Sequence, residues 1–170
     1  MIRRSDNEKT ELRVKPEGAT YSSQHLRLIP VDPEFVPTPS VQEQVVAALA
    51  AQFPNKEISS SLYDQVRFVD SGESFESVTC DRCAQQITID EWQEMMGAAY
   101  ENRFSDLTVT PSCCGRSTSL NDLVYQAPSG FSRYLIEIID PEDPLKDAEQ
   151  ITPEIARILG TRLRAIHAHI

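Results

Sequence analysis

Glycine is scarce in this sequence, with only six in 170 residues. None of them builds a Gly-rich phosphate loop, and the sequence also lacks a nucleophile elbow and a His-Glu-x-x-His helix motif. No stretch approaches the roughly 18 to 20 apolar residues that a membrane helix needs. These absences argue against the enzymes that such motifs mark, so we predict a protein that is not an enzyme and has no membrane partner.

Basic residues are also few. The chain carries 16 Lys and Arg against 26 Asp and Glu, a formal net charge of -10. Residues 1–19 hold five basic and four acidic residues, so the rest of the chain carries -11. A field of that sign repels phosphate backbones and favours basic partners. Residues 1–7 include two arginines but lack the apolar region of a secretory signal, so we expect a cytoplasmic location.

The chain has four cysteines, and their spacing is its most informative pattern. Cys80 and Cys83 form a C-x-x-C pair, and after a gap of 29 residues Cys113 and Cys114 stand side by side. A C-x-x-C turn brings two thiolates within reach of one ion, and a second pair completes the four soft ligands that zinc prefers. We therefore predict one structural Zn²⁺ site with these four ligands.

Two other uses of the cysteines are less favourable. A disulfide framework needs an oxidising compartment, and a bond between Cys113 and Cys114 would close a strained ring. A redox C-x-x-C stands at a helix start, whereas the predicted helix begins about six residues after Cys83. A closed site of four thiolates leaves no open position, so its metal would stabilise the fold and would not activate water.

The adjacent pair leaves one alternative open. In an extended strand, Cys113 and Cys114 would point to opposite faces, and only a tight turn at Gly115 would aim both at one ion. Without that turn, one of them is a buried thiol and the fourth ligand comes from elsewhere. The candidates for that ligand are a carboxylate, His25, His167 and His169.

The cysteine segment resembles the zinc-ribbon class over roughly residues 75–120. More narrowly, the stretches 75–80, 111–115 and 119–123 resemble small bacterial proteins of uncharacterised activity. The sequence departs from the usual ribbon by a helix between the two cysteine pairs and by the vicinal second pair. The resemblance implies a zinc-held module, and it implies nucleic-acid binding only by analogy, against which the charge argues.

Apolar periodicity predicts three helices and several strands. Ser40 with Glu43, and Thr88 with Glu91, have the spacing of a capping box, and Thr152 precedes a proline suited to a first helical position. Apolar residues at helical spacing, including Trp92, are interpreted as core. The predicted strands cover residues 26–31, 66–69, 75–78, 107–110, 120–125, 134–139 and 163–170, and the predicted helices cover 40–53, 89–102 and the segment from Pro153 to Gly160.

Two stretches of the sequence resemble each other. Residues 28–34 and 136–142 each run from an apolar strand into Asp-Pro-Glu, and a capped helix and another strand follow each of them. Two strand-helix-strand halves predict an α+β fold, a ferredoxin-like split βαβ sandwich with an inserted zinc-binding knuckle. The predicted divisions are a disordered arm (1–20), a first βαβ half (21–70), a zinc-binding insertion (71–126) and a second βαβ half (127–170).

Charge and the lack of catalytic motifs predict a protein-interaction module. An acidic loop that contains Glu142, Asp143 and Asp147 is the predicted surface for a basic protein, and an immunity protein that masks a basic toxin or enzyme is one concrete form of this hypothesis. The alternative is a zinc-ribbon accessory protein of nucleic acids. That protein would use a local basic patch made of Arg82, Arg103 and Arg116.

Overall fold

The computed structural model describes residues 9–18 and 24–170, which form a mixed α+β fold with three helices and antiparallel sheets. The helices are α1 (Pro39–Gln52), α2 (Ile89–Glu101) and α3 (Pro144–Leu159). The strands are β1 (Lys9–Val14), β2 (Gln24–Pro30), β3 (Ile58–Val69), β4 (Val78–Thr79), β5 (Gln86–Ile87), β6 (Thr108–Val109), β7 (Thr118–Ser119), β8 (Val124–Tyr125), β9 (Gly130–Ile139) and β10 (Leu163–His169).

Five strands form the main sheet in the order β1-β3-β9-β2-β10, and every neighbouring pair is antiparallel. Strand β9 therefore lies between β2 and β3, and β10 pairs with the other edge of β2. Helices α1 and α3 pack on one face of this sheet. Their shared core consists of Leu26, Leu28, Val45, Leu49, Ile58, Tyr134, Ile136, Ile138, Ala148, Ile151, Ile155 and Leu159.

Helix α1 begins one residue earlier than the sequence predicts, and its cap is a different residue. The Oγ1 of Thr38 accepts a hydrogen bond from the backbone N–H of Val41 at 3.3 Å, so Ser40 is not the cap. Pro39 explains the difference, because a proline is favoured at the first helical position, where no N–H partner is needed. The residue before that proline then becomes the cap.

Helix α3 corrects the prediction more strongly. It begins at Pro144 with Asp143 as its cap, so Thr152 and Pro153 lie inside the helix. The Thr152 hydroxyl donates back to the carbonyl of Ala148 at 2.5 Å, and Pro153 stands on the exposed side. A proline leaves one carbonyl without its helical donor, which solvent can satisfy on an exposed face. The end of the helix agrees with the prediction, because Gly160 closes it in a left-handed conformation (φ 73°).

Residues 9–14 are not disordered, although the sequence predicts them as part of a mobile arm. They form edge strand β1, which pairs with the first half of β3. Arg13 anchors this strand, since its Nη1 lies 2.8 Å from Oε1 of the buried Glu57. The polar residues of this segment conceal its alternation from a sequence reading. Residues 1–8 and 19–20 of the predicted arm lie outside the described residues.

Strand β3 is three times as long as the four-residue strand that the sequence predicts. Its first half contains the serines 59–61, which are polar but buried. The Oγ of Ser60 lies 2.8 Å from the Tyr134 hydroxyl, so the two buried hydroxyl groups satisfy each other. The strands predicted at 75–78, 107–110 and 120–125 are instead only two residues long, as β4, β6 and β8.

The residues between β3 and β9 build a second core around α2. Its buried members include Val78, Cys80, Leu120 and Tyr125, and it continues into the main sheet through Phe131. Partly buried Trp92, Met95 and Met96 pack against this core, which confirms their interpretation as core residues. The ring of Trp92 meets Phe68 of β3 edge to face, with centroids 5.7 Å apart. The cysteine segment therefore packs directly on one end of the main sheet.

A group of hydrogen bonds around Asn121 connects this segment to the main sheet. The Asn121 side chain accepts from the Phe131 N–H at 3.0 Å and donates to the carbonyl of Val31 at 3.0 Å. Arg164 of β10 donates to Asn121 Oδ1 and, through Nη2, to the Asn121 carbonyl, both at 3.1 Å. Partial burial lowers the pKa of Arg164. Asn121 thus joins the segment to β9, to β10 and to the residue that follows β2.

Candidate metal centre

The four cysteine side chains meet at one point. The Sγ atoms of Cys80, Cys83, Cys113 and Cys114 all lie within 4.8 Å of one another, with 3.2 Å between Cys83 and Cys113 and 3.9 Å between Cys80 and Cys114. A tetrahedral ion with metal–sulfur bonds of about 2.3 Å separates its ligands by about 3.8 Å. The described residues contain no other such group of three or more His, Cys, Asp or Glu side chains. The cluster can therefore hold a metal ion.

The first cysteine pair is shaped by a tight turn. The Ala84 N–H donates to the Cys80 carbonyl at 3.0 Å, and the Cys80 N–H donates to the Gln85 carbonyl at 2.9 Å. Ala84 adopts a left-handed conformation, with φ 62°. The chain thus reverses immediately after Cys83, so both thiols project from the inside of the turn.

The second pair uses the same turn in a different register. The Gly115 N–H donates to the Pro111 carbonyl at 3.1 Å, and Gly115 has φ 65°. Pro111 and Cys114 therefore occupy the places of Cys80 and Cys83 in the first turn. Cys113, at the third position of this turn, supplies the other thiol. The turn at Gly115 brings both thiols into the cluster. In an extended strand the same two side chains would point to opposite faces.

Two carboxylates outside the cluster hold its turns in place. Glu91 of α2 accepts from the Ser112 N–H at 2.7 Å and from the Ser112 hydroxyl at 3.0 Å. Asp81 accepts from the Thr118 hydroxyl at 2.8 Å and 3.0 Å, which ties the first turn to β7. Sequence reasoning missed both roles. The spacing of Glu91 from Thr88 predicts a capping box. The Thr88 cap itself is confirmed, because its Oγ1 accepts from the Glu91 N–H at 3.2 Å.

The thiols differ in how readily they ionise. Burial opposes ionisation of Cys80, but the N–H groups of Arg82 and Cys83 and the neighbouring thiols outweigh it and lower its pKa to about 7. Hydrogen bonding to Cys83, with burial, raises the pKa of Cys113 to about 12. The Arg116 N–H favours the thiolate of Cys114, yet burial and the thiols of Cys80 and Cys83 raise its pKa. Four thiolates repel one another, and a cation would relieve that repulsion.

The three histidines lie apart from the cysteines. His25 Nδ1 is 3.0 Å from Glu137 Oε2 on β9, and the His169 ring contacts Gln24 at 2.6 Å and Glu73 at 3.5 Å. Partial burial lowers the pKa of His167 on β10. Because the cluster contains four cysteines and no histidine, the alternative of a histidine as fourth ligand is wrong for this structure.

The structure gives the three predicted acidic docking residues different surroundings. Asp143 caps α3 by accepting from the Lys146 N–H at 3.2 Å, and Asp147 accepts from the Asp143 N–H at 3.2 Å. Glu142 is exposed and lines a groove together with Asp147. Among the three, Glu142 is the one for which the described residues show no contact that stabilises the start of α3.

The three arginines of the predicted basic patch do not share one environment. Arg82 is exposed and has its Nε 3.7 Å from Asp81 Oδ2. Arg103 lines a groove beside Arg67 of β3, and no cysteine lines that groove. Arg116 is exposed beside the second turn. An acidic neighbour already offsets the charge of the arginine nearest the first turn.

No protein-family model, curated protein or solved structure matches the chain. Among the described residues, no helix is both long enough and apolar enough to cross a membrane. The resemblance to zinc ribbons therefore stays a prediction from the residues around the cysteines, and the metal centre rests on its own donor set and geometry.

Proposed function

We propose that the cysteine cluster is a structural zinc centre with Cys80, Cys83, Cys113 and Cys114 as its ligands. The supporting observation is a set of four thiols that lie within 4.8 Å of one another, near the roughly 3.8 Å that separates the ligands of a tetrahedral zinc site. Zinc in such a closed site supplies folding free energy. The chain contributes two turns that bring the thiols together, each ending in a left-handed residue, Ala84 or Gly115. The carboxylates of Glu91 and Asp81 hold those turns in place.

We infer that the main sheet with α1 and α3 is a ferredoxin-like split βαβ sandwich. The strand order β3-β9-β2-β10, with both helices on one face, supports this assignment, and β1 is then an added edge strand. In this interpretation the two halves are residues 21–70 and 127–170, and residues 71–126 are an insertion held by zinc. No enzyme activity is part of the proposal.

We propose that the protein is an interaction module for a basic protein partner in the cytoplasm. An acidic groove of about 460 Å³ between the end of α1 and helix α3 carries this proposal. Its carboxylates are Glu142, Asp147 and Glu154, and its one basic residue is Lys56. Lys56 Nζ already lies 3.8 Å from Asp140 Oδ2, so it neutralises the groove only in part.

The groove also offers apolar surface. Phe53 and Pro54 line it together with the carboxylates. A lysine or arginine side chain combines a charged head with an apolar stem, so it suits a site that pairs carboxylates with an apolar wall. An immunity or inhibitor protein that masks a basic toxin or enzyme is the concrete form of this function, because an acidic surface speeds encounter with a cationic active site.

The test is a measurement of association with a basic partner recovered from the native host and identified by mass spectrometry. We expect the association rate to fall as salt is added. The double variant Glu142→Gln with Glu154→Gln should slow association about tenfold. Glu76→Gln with Glu94→Gln removes the same charge from exposed positions elsewhere and serves as the control. Equal slowing in both variants, or none in either, would place the interface outside the groove.

A further inference from the structure

A second groove, of about 300 Å³, lies where β3 passes the carboxyl end of α2. It has the opposite electrostatic character to the acidic groove, because two arginines and no carboxylate line it. Its walls are Gln65, Val66, Arg67, Phe68, Tyr100, Arg103 and Phe104. In a chain with 26 acidic and 16 basic residues, a groove with only guanidinium charges is a local reversal of sign.

The two guanidinium groups have no ion pair among the described residues. Arg67 is half-buried, and its Cζ stands 4.4 Å above the ring of Tyr63. This stacking holds the side chain in place but leaves its donors for another group. Arg103 is exposed at the opposite wall. Arginine binds phosphate through paired N–H···O contacts, so two guanidinium groups on one groove suit a phosphate group.

Aromatic rings also line the groove. Tyr100 is 69% exposed, which is unusual for so large a ring, and its centroid lies 5.6 Å from that of Phe104. Phe104 in turn packs edge to face on Phe131 at 5.3 Å, so it is anchored in the second core. An exposed ring on a rigid support is a stacking surface for a planar ligand.

The backbone on both sides of the groove departs from regular structure. The pairing of β3 with β9 shifts register between Leu62 and Arg67, which places Arg67 next to an irregularity in the strand. Arg103 and Phe104 are consecutive left-handed residues, with φ 58° and 56°, and neither is glycine. Bulges and left-handed side-chain residues concentrate beside functional sites, where they aim side chains that regular structure would not.

We propose that this groove binds a nucleoside phosphate, with the phosphate between Arg67 and Arg103 and the base stacked on Tyr100. The ligand is either a free nucleotide or a nucleotide unit of a single-stranded nucleic acid, since both present the same phosphate and base. This site differs from the predicted patch of Arg82, Arg103 and Arg116, because it needs neither the cysteine turns nor Arg82 and Arg116. It is also independent of the acidic groove and of the proposed function.

The test is calorimetric titration of the full-length protein with AMP, adenosine, inorganic phosphate and a short single-stranded oligonucleotide. We expect AMP or the oligonucleotide to bind saturably, and adenosine and phosphate to bind at least about tenfold more weakly than AMP, because each lacks half of the recognised group. Tighter binding of the oligonucleotide with a steep salt dependence identifies nucleic acid as the source. Tighter binding of AMP identifies free nucleotide.

Three variants locate the site. Arg67→Gln and Arg103→Gln should each weaken binding about tenfold or more, and Tyr100→Ala should weaken it while leaving phosphate binding unchanged. Arg157→Gln removes the same charge from the exposed side of α3 and should have no effect. Arg103 and Tyr100 are exposed, so their variants should fold even if Arg67→Gln does not. Binding of none of the four probes, or equal loss in Arg157→Gln, would overturn the proposal.

Discussion

The carboxylate of Glu91 accepts both the N–H and the hydroxyl of Ser112, at 2.7 Å and 3.0 Å. Glu91 stands in the first turn of α2, and Ser112 immediately precedes the vicinal cysteines. The helix between the two cysteine pairs therefore sets the position of the second turn. This contact explains how a vicinal pair, which lacks the spacing of an ordinary knuckle, presents two thiols to one point.

Glu91→Ala should lower zinc affinity. Contacts that orient metal ligands contribute roughly 10- to 100-fold to metal affinity, and we expect about tenfold here because Ser112 is exposed. Competition with a chelator of known affinity measures the change. Asp90→Ala is the matched control, since Asp90 also stands in the first turn of α2 but does not contact Ser112. Equal losses in both variants would assign the effect to the helix dipole instead.

Gly72→Ala should destabilise the protein by about 3 kcal/mol or more. Gly72 has φ 61°, and an added Cβ would lie 2.1 Å from the backbone oxygen of His169, which belongs to β10. Thermal or urea unfolding measures the loss.

Gly97→Ala is the control for that variant. A Cβ at Gly97, on the exposed side of α2, meets nothing within 4 Å. We expect this variant to gain about 0.5 to 1 kcal/mol, because alanine is the better helix former. A Gly72 variant as stable as the wild type would mean that the loop at 70–75 does not pack against the end of β10.

The sequence predicts the cysteine cluster well because the spacing of the cysteines alone indicates a metal-binding arrangement. Whether Cys113 and Cys114 both take part is open at that level, since it depends on a turn between Pro111 and Gly115 whose geometry only the folded chain shows. Glu91 and Asp81 escape prediction for a related reason. Their partners, Ser112 and Thr118, are distant in sequence, and the local capping pattern of Glu91 conceals its long-range role.

The fold likewise contains elements that local sequence signals predict and elements that depend on distant partners. Strands β2 and β10 and the capped helix α2 are predicted to within two residues of their observed bounds, because periodicity and caps are local signals, whereas β9 begins four residues before its predicted start. Strand β1 and the first half of β3 are missed because their burial depends on partners elsewhere, Glu57 for Arg13 and Tyr134 for Ser60. The start of α3 is misplaced since both Asp143-Pro144 and Thr152-Pro153 carry a start signal, and the earlier one is used.

Asp143→Ala should destabilise the protein by about 1 kcal/mol, because it removes the cap of α3. The exposed Glu142 has no such role among the described contacts, so Glu142→Ala should change stability by less than about 0.5 kcal/mol. Denaturant unfolding of the two variants measures this difference. If both variants were equally stable, the α3 start would not depend on its cap, and Asp143 would become available to the proposed partner surface.

Stability should fall in alkaline solution as buried tyrosines ionise. Burial raises the pKa of Tyr134 and of Tyr125 to about 12, above the ordinary value of 10. A group whose pKa is raised in the folded state stabilises that state below the unfolded pKa, so this contribution is present below pH 10 and is lost as pH rises from 10 towards 12.

Near-ultraviolet absorbance should show two tyrosines that ionise later than free tyrosine. Tyr134→Phe should remove one of these late steps and retain the other. Late ionisation that persists unchanged in that variant would contradict the burial of Tyr134 between β3, β9 and the helices.

The metal content of the purified protein tests the zinc centre most directly. We expect about one zinc per chain, and we expect the single variants Cys80→Ser, Cys113→Ser and Cys114→Ser each to lose the metal and to lose protection of residues 75–120 in hydrogen exchange, because a structural zinc site supplies much of a small module's folding free energy. Loss of zinc in Cys113→Ser and, separately, in Cys114→Ser would establish both vicinal cysteines as ligands. A folded protein with no zinc and four titratable thiols would contradict the account.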